Sequence, residues 1–168
     1  VYGSIVCLGQ TNLKRMVAYS SVSHMGIVLL GIASMQPLGF AGAIFMMFAH
    51  GIISPMLFSV CGSFKHHYHT LEIGSTRGLA KASPFLGVYM MFSWMASLGL
   101  PLLAGFVAEL MLLLAYWPVY GWWILFPGAV IAITGAYYLW SMQRTIFEGG
   151  EHGQPPKSLH GEMPPDIT

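Results

Sequence analysis

LGLPLLAGFVAEL, residues Leu98 to Leu110, is the stretch that decides how this chain is read. It lies inside a run from Ser83 to Trp117 in which Glu109 is the only charged residue. A carboxylate at the centre of a membrane helix costs roughly 2.5–3.5 kcal/mol on insertion scales, so such a residue marks a functional site. Pro101 removes a backbone donor and Gly105 tolerates unusual dihedrals. The run therefore reads as two half-helices joined by an irregular segment, with Glu109 one turn into the second. Irregular backbone at membrane depth survives only against protein or water, which points to an ion pathway.

Composition agrees. Of 168 residues, 55% are hydrophobic and only 8% charged, against about 25% charged in ordinary soluble domains. Mean hydropathy is +0.65. This is the composition of an all-α polytopic transmembrane helix bundle. A net charge of +1, with no basic run interleaved with aromatics, argues against nucleic acid as a partner. Cys7 and Cys61 both lie in apolar segments without CxxC spacing and read as small hydrophobes rather than disulfide or zinc ligands. Val1 opens in mid-pattern with no initiator Met, so the sequence is expected to be a piece of a longer chain.

About 20 residues are needed to cross the hydrocarbon. Val1 to Gln10 is too short and is expected to be the end of a helix, followed by a tight turn at Thr11 and Asn12 with N-cap character. The next span opens at Lys14 and Arg15 and runs to about Met35. A third runs from Gly39 to about Phe64, with a kink expected at Ser54-Pro55. The polar stretch Lys65 to Lys81 follows, then the broken span from Ser83 to Trp117, ended by Pro118. The last span runs from near Tyr120 to about Arg144 with Pro127-Gly128 inside it. Residues 1–147 thus make the transmembrane bundle, and 148–168 a polar loop or linker.

This layout puts Lys14, Arg15, Lys65, Arg77, Lys81, Arg144 and Lys157 in alternate loops on one side of the membrane. The turns at Pro37 and Pro118 have no basic residue. By the positive-inside rule the basic side is the cytoplasm or its equivalent, and Trp117, Trp122 and Trp123 belong to an aromatic belt on the other face.

His24 is ten residues past Lys14, about 15 Å into the bilayer at 1.5 Å per residue. His50, eleven residues past Gly39, lies near mid-depth too. Glu109 is eight residues before Trp117, about 12 Å from the far face. His changes charge near neutral pH, and titratable groups sharing one depth are what a lateral proton relay needs. Ser20, Ser21, Tyr19 and Ser23 surround His24 with hydroxyls able to hold ordered water. Tyr89, Thr134, Tyr137 and Tyr138 are candidates to extend the wet path, their facing left open.

Each reading has a plainer rival. His24 can be a packed histidine bonded to Ser20, His50 can belong to helix packing at Gly51, and Glu109 can be structural. The loop cluster Lys65-His66-His67-Tyr68-His69 has metal-like spacing without an accompanying Cys or Asp and reads as a solvated basic face, so no metal site is expected. His24 and His50 on neighbouring antiparallel helices also admit a di-histidine haem b.

QTNLKRMVAYSSVSHMG (Gln10 to Gly26), FAHG (Phe48 to Gly51) and LGLPLLAGFVAEL together resemble the antiporter-like proton-pumping subunits of respiratory complex I. The likeness is strongest to its chain M, or mitochondrial subunit four type, with relatives in cation/proton antiporter complexes and membrane-bound hydrogenases. It covers about residues 3 to 147. The resemblance implies an antiporter-like subunit fold, with His24 and His50 on a buried hydrophilic axis and Glu109 in a discontinuous helix near the exit of the second half-channel; Lys14, Tyr19, Ser20, Ser21 and Ser23 are the supporting polar candidates. It implies a proton-translocating subunit of an NADH-quinone oxidoreductase-type translocase in an energy-transducing membrane. A prokaryotic cell membrane is expected first, and the mitochondrial inner and thylakoid membranes are compatible. Partners would be other antiporter-like and membrane-arm subunits, and quinone, flavin and iron–sulfur clusters would belong to partner subunits, with no cofactor in this chain. One departure stands out: the family has Gly after the proline of the break, whereas Leu102 follows Pro101 here. The intramembrane lysines and the acid of the first half-channel are absent from this sequence.

Overall fold

The computed structural model describes residues 1–73 and 84–147. Among these, the chain folds as α1 Tyr2–Leu8, α2 Leu13–Ala33, α3 Pro37–Tyr68, α4 Pro84–Leu98, α5 Ala104–Tyr120 and α6 Leu125–Met142. A 3₁₀ turn, Gly121–Ile124, leads into α6, and a π turn, Gln143–Phe147, closes it. Arg77, Lys81 and Lys157, and the loop or linker expected at 148–168, lie outside the described residues.

Local chemistry sets the helix ends. Asn12 caps α2, its Oδ1 accepting from the backbone N–H of Lys14 at 3.1 Å and of Arg15 at 3.3 Å, the arrangement that satisfies orphan donors of a first turn. Pro37 begins α3, where its missing N–H costs nothing. The third helix runs through Pro55 and past Phe64 to Tyr68, because Lys65 complements the negative end of the helix and the stop waits for His69 at φ +53°. Similarly, α5 does not end at Pro118. One lost donor in the last turn is tolerated, and Gly121, at φ +53°, makes the reversal.

Among the described residues, three helical runs are long and apolar enough to cross a bilayer: Leu13–Ala33, Pro37–His66 and Ala104–Phe147. The last, at 44 residues, would be about 66 Å long if straight, twice the hydrocarbon thickness. It folds back at Gly121, so that Pro127 of α6 meets Leu113 and Tyr116 of α5 while Gly135 reaches Leu98 at the end of α4.

Between α4 and α5 the backbone is irregular. Gly99 and Leu102 take positive φ, +73° and +83°. Gly105, expected to supply the irregular dihedral, instead lies in the first turn of α5. A methyl there would come within 3.1 Å of the Ala96 carbonyl, so its missing side chain lets the two half-helices touch.

The helix ends agree on two faces. Tyr120 donates from its hydroxyl to the Ala33 carbonyl at 3.1 Å, tying the end of α5 to the end of α2. Trp117, Trp122 and Trp123 are exposed around that turn. At the other face the backbone N–H of Leu13 reaches the Leu71 carbonyl at 2.8 Å, and that of Ile73 reaches Thr11 at 2.7 Å. The described basic residues Lys14, Arg15, Lys65 and Arg144 all fall at that end, Arg144 lying over the Trp140 ring at 4.4 Å.

Among the described residues, two apolar clusters fill the interior. One, toward the basic face, includes Cys7, Leu13, Val17, Leu57, Cys61 and Phe64. The other, toward the tryptophan face, includes Ile27, Val28, Ala43, Met46, Leu112 and Val130.

Candidate functional site

Where the two clusters part, the buried surface turns polar. His24 is carried on α2 and Glu109 on α5, each under 5% exposed, as expected of groups on helix faces turned to the interior. His24 Nε2 stands 4.0 Å from Glu109 Oε1. That is about 1 Å beyond a hydrogen bond, a gap a small side-chain movement closes.

His50 enters from α3. Its ring centroid lies 5.4 Å from that of His24 at a tilt of 49°, and its Nε2 bonds Ser21 Oγ at 3.1 Å. The three ionisable groups therefore come from three helices to one level. They form a sequence in space, His50 beside His24 beside Glu109. Among the described residues, His24 Nδ1 is buried without a hydrogen-bond partner.

The break shapes the acid's surroundings. Gly99, at the C-terminal end of α4, lies against the Glu109 carboxylate: a methyl on Gly99 would sit 2.6 Å from Oε2 and 3.1 Å from Cδ. Only a residue without a side chain lets the backbone approach so closely while holding a left-handed φ.

Hydroxyls continue the polar level sideways. Ser97 Oγ on α4 donates to the Tyr138 hydroxyl at 2.8 Å. Tyr138 donates to Ser20 Oγ at 3.0 Å, and Ser20 donates to the Val17 carbonyl at 2.8 Å. Ser23 pairs with Ser4 of α1 at 2.8 Å. Thr134 and Tyr137 are buried in α6, the Tyr137 hydroxyl near Cys7 and Thr134.

The sequence candidates divide accordingly. His24, His50, Glu109, Ser20, Ser21 and Ser23 come together. Tyr19 packs, partly buried, against the apolar cluster that holds Cys7. Lys14 is exposed at the start of α2 and stays out of the group, because its position in the first turn keeps it at the membrane edge. Tyr89 is 37% exposed and faces outward. Pro101 is exposed within the break, and Gly105 packs on α4. Gly99, Ser97 and Ser4 were not singled out by sequence reasoning. For Gly99 a signal existed, since glycine just past the last turn of a helix is the usual left-handed stop.

A haem does not fit this arrangement. The two Nε2 atoms turn to different partners, His24 toward Glu109 at 4.0 Å and His50 to Ser21 at 3.1 Å. They do not face each other along one axis, as two axial ligands of one iron must.

The chain as a whole is similar to known proteins. Residues 1–134 match the family described as NADH:quinone oxidoreductase/Mrp antiporter, transmembrane. The chain is 43% identical over 147 residues to F(420)H(2) dehydrogenase subunit M of Methanosarcina mazei, covering 88% of this chain and 30% of that protein. It is 42% identical over 147 residues to NADH-quinone oxidoreductase subunit M of Rhodobacter capsulatus, covering 88% of this chain and 29% of the relative. Among solved structures, a chain of respiratory complex I from Thermus thermophilus with bound NADH superposes with a TM-score of 0.86 at 34% identity, over 90% of this chain and 32% of that one. A chain of the Mrp complex from Dietzia superposes with a TM-score of 0.82 at 29% identity, over 89% and 28%. The present chain thus spans about 30% of the length of the relatives it matches.

Proposed function

The chain belongs to the NADH:quinone oxidoreductase/Mrp antiporter transmembrane family, and from that membership we propose that it forms the exit portion of a proton path in a redox-driven membrane complex. His50 and His24 would pass a proton along the buried level to Glu109, which releases it toward the tryptophan face. Driving the step would be quinone reduction in partner subunits, which would also hold the flavin and iron–sulfur groups. Other antiporter-like subunits would supply the entry half-channel.

One observation carries the reading: an acid and an imidazole, both almost fully buried, stand 4.0 Å apart beside a helix break, with a second imidazole 5.4 Å behind. Isolated charges are expensive in that setting. A single proton shared along the row keeps the group near neutral, and its position is then easily moved by a distant charge. Delivering one proton against 100 mV requires about 2.3 kcal/mol, which the redox reaction must supply.

The test is Glu109→Ala in the full-length subunit within its native complex, reconstituted in vesicles. The complex should assemble and gradient formation should be lost or greatly reduced. An undiminished gradient would remove Glu109 from the path.

The structural likeness to the Mrp complex favours a second reading, a cation/proton antiporter subunit without a redox partner. Purification decides between them: a quinone-reducing module should accompany the chain under the first reading and be missing under the second.

A further inference from the structure

Glu109 ends the polar level abruptly. One helical step on, Leu112 projects from the same buried face of α5, about 4.5 Å nearer the tryptophan side. Its side chain is seated in a notch made by two glycines from different helices. A methyl on Gly31 of α2 would overlap Leu112 Cδ2, and one on Gly42 of α3 would lie 3.2 Å from Leu112 Cγ. Leu112 is 2% exposed.

The helices change character together at this height. On α2 the residues before it are Ser20, Ser21, Ser23 and His24, and the buried ones after it are Ile27, Val28 and Gly31. On α3, His50 gives way to Met46, Ala43 and Gly42. A cavity of about 10 Å³ lies beside Leu112, lined by Ile27, Gly31, Leu113, Tyr116 and Pro127. Such a space is at the lower limit for one water and offers apolar walls, whereas a water needs two to four polar partners. On the tryptophan side of Glu109, Leu112 is thus packed among apolar side chains, Ile27, Val28, Ala43 and Met46.

From this we infer that Leu112 is the stopper of the exit path: it closes Glu109 to the outer face while seated in the Gly31–Gly42 notch, and water reaches the acid only when it leaves. A leucine suits the part, since its branched end fills a notch shaped by two missing side chains and leaves no polar atom for water to follow. This rests on the proton-path reading of Glu109 given above.

Passive proton permeability tests it, measured in vesicles holding the full-length subunit in its complex, with no electron donor. Leu112→Ala should raise the leak about tenfold, the change that about 1.4 kcal/mol off an opening barrier gives. Leu112→Val, which keeps most of the volume but cannot reach into the notch, should leak in the same direction to a smaller extent. It serves if the alanine variant fails to assemble. Adding Glu109→Gln should return the leak to the unsubstituted level. Vesicles that stay tight with both Leu112 variants, or a leak indifferent to Glu109→Gln, would overturn the stopper. Loss of pumping in Glu109→Gln alone is read separately, so the stopper can fall while the path stands.

Discussion

Substituting Gly99 by alanine exposes how much of the site depends on backbone approach. The added methyl would lie 2.6 Å from Glu109 Oε2, about 0.8 Å short of ordinary van der Waals contact, which begins near 3.4 Å. Neither side can yield freely: Gly99 is held at φ +73°, and the carboxylate is buried against α2. Holding alanine at that dihedral costs about 1–2 kcal/mol. The carboxylate must shift by most of the deficit, and it stands only 4.0 Å from His24. A misplacement of about 1 Å can slow a positioned transfer about 100-fold. Proton translocation by the Gly99→Ala complex should therefore fall about 10- to 100-fold, read as dye quenching in vesicles beside quinone reductase activity in detergent. The complex itself should still assemble, since the strain is one residue's worth. Full translocation in an assembled Gly99→Ala complex would refute the claim that this glycine positions the acid.

Leu102 makes the opposite case: it is fully exposed and strained at φ +83°, so Leu102→Gly should raise stability by about 1 kcal/mol, seen as a higher unfolding temperature. Tyr138→Phe removes the centre of the Ser97–Tyr138–Ser20 chain and leaves the buried Ser97 hydroxyl without its acceptor, while Ser20 keeps its bond to the Val17 carbonyl. A loss of about 1–3 kcal/mol is expected in denaturant titration, and no loss would mean that water replaces the phenol. Ser21→Ala frees the His50 ring from its 3.1 Å bond and should cost about 0.5–1.5 kcal/mol, with slower translocation but an unchanged quinone reductase rate in detergent.

Sequence reasoning reached the elements whose cause is local. The lone Glu109, the proline of the break and the Asn12 cap carry their consequences within a few residues, and so do the apolar runs that become spans. The helices run past the expected span limits at Phe64 and Pro118 for a physical reason: a charge or a proline in a last turn is cheap, so hydropathy and breaker residues mark the membrane edge better than the helix stop. What stayed out of reach depends on partners distant in the chain. The Tyr138–Ser20 bond spans 118 residues, and the Ser4–Ser23 pair links two helices. The Gly31–Gly42 notch has meaning only once Leu112 fills it. Depth arithmetic along each helix placed His24, His50 and Glu109 at similar heights, but not which faces meet.

Infrared difference spectroscopy during turnover tests the shared proton most directly. On the present account the reacting complex gives a carboxyl C=O band that vanishes in Glu109→Gln and moves in His24→Gln, because the imidazole 4.0 Å away sets the acid's surroundings. A band that persists in Glu109→Gln, or that ignores His24→Gln, would contradict it.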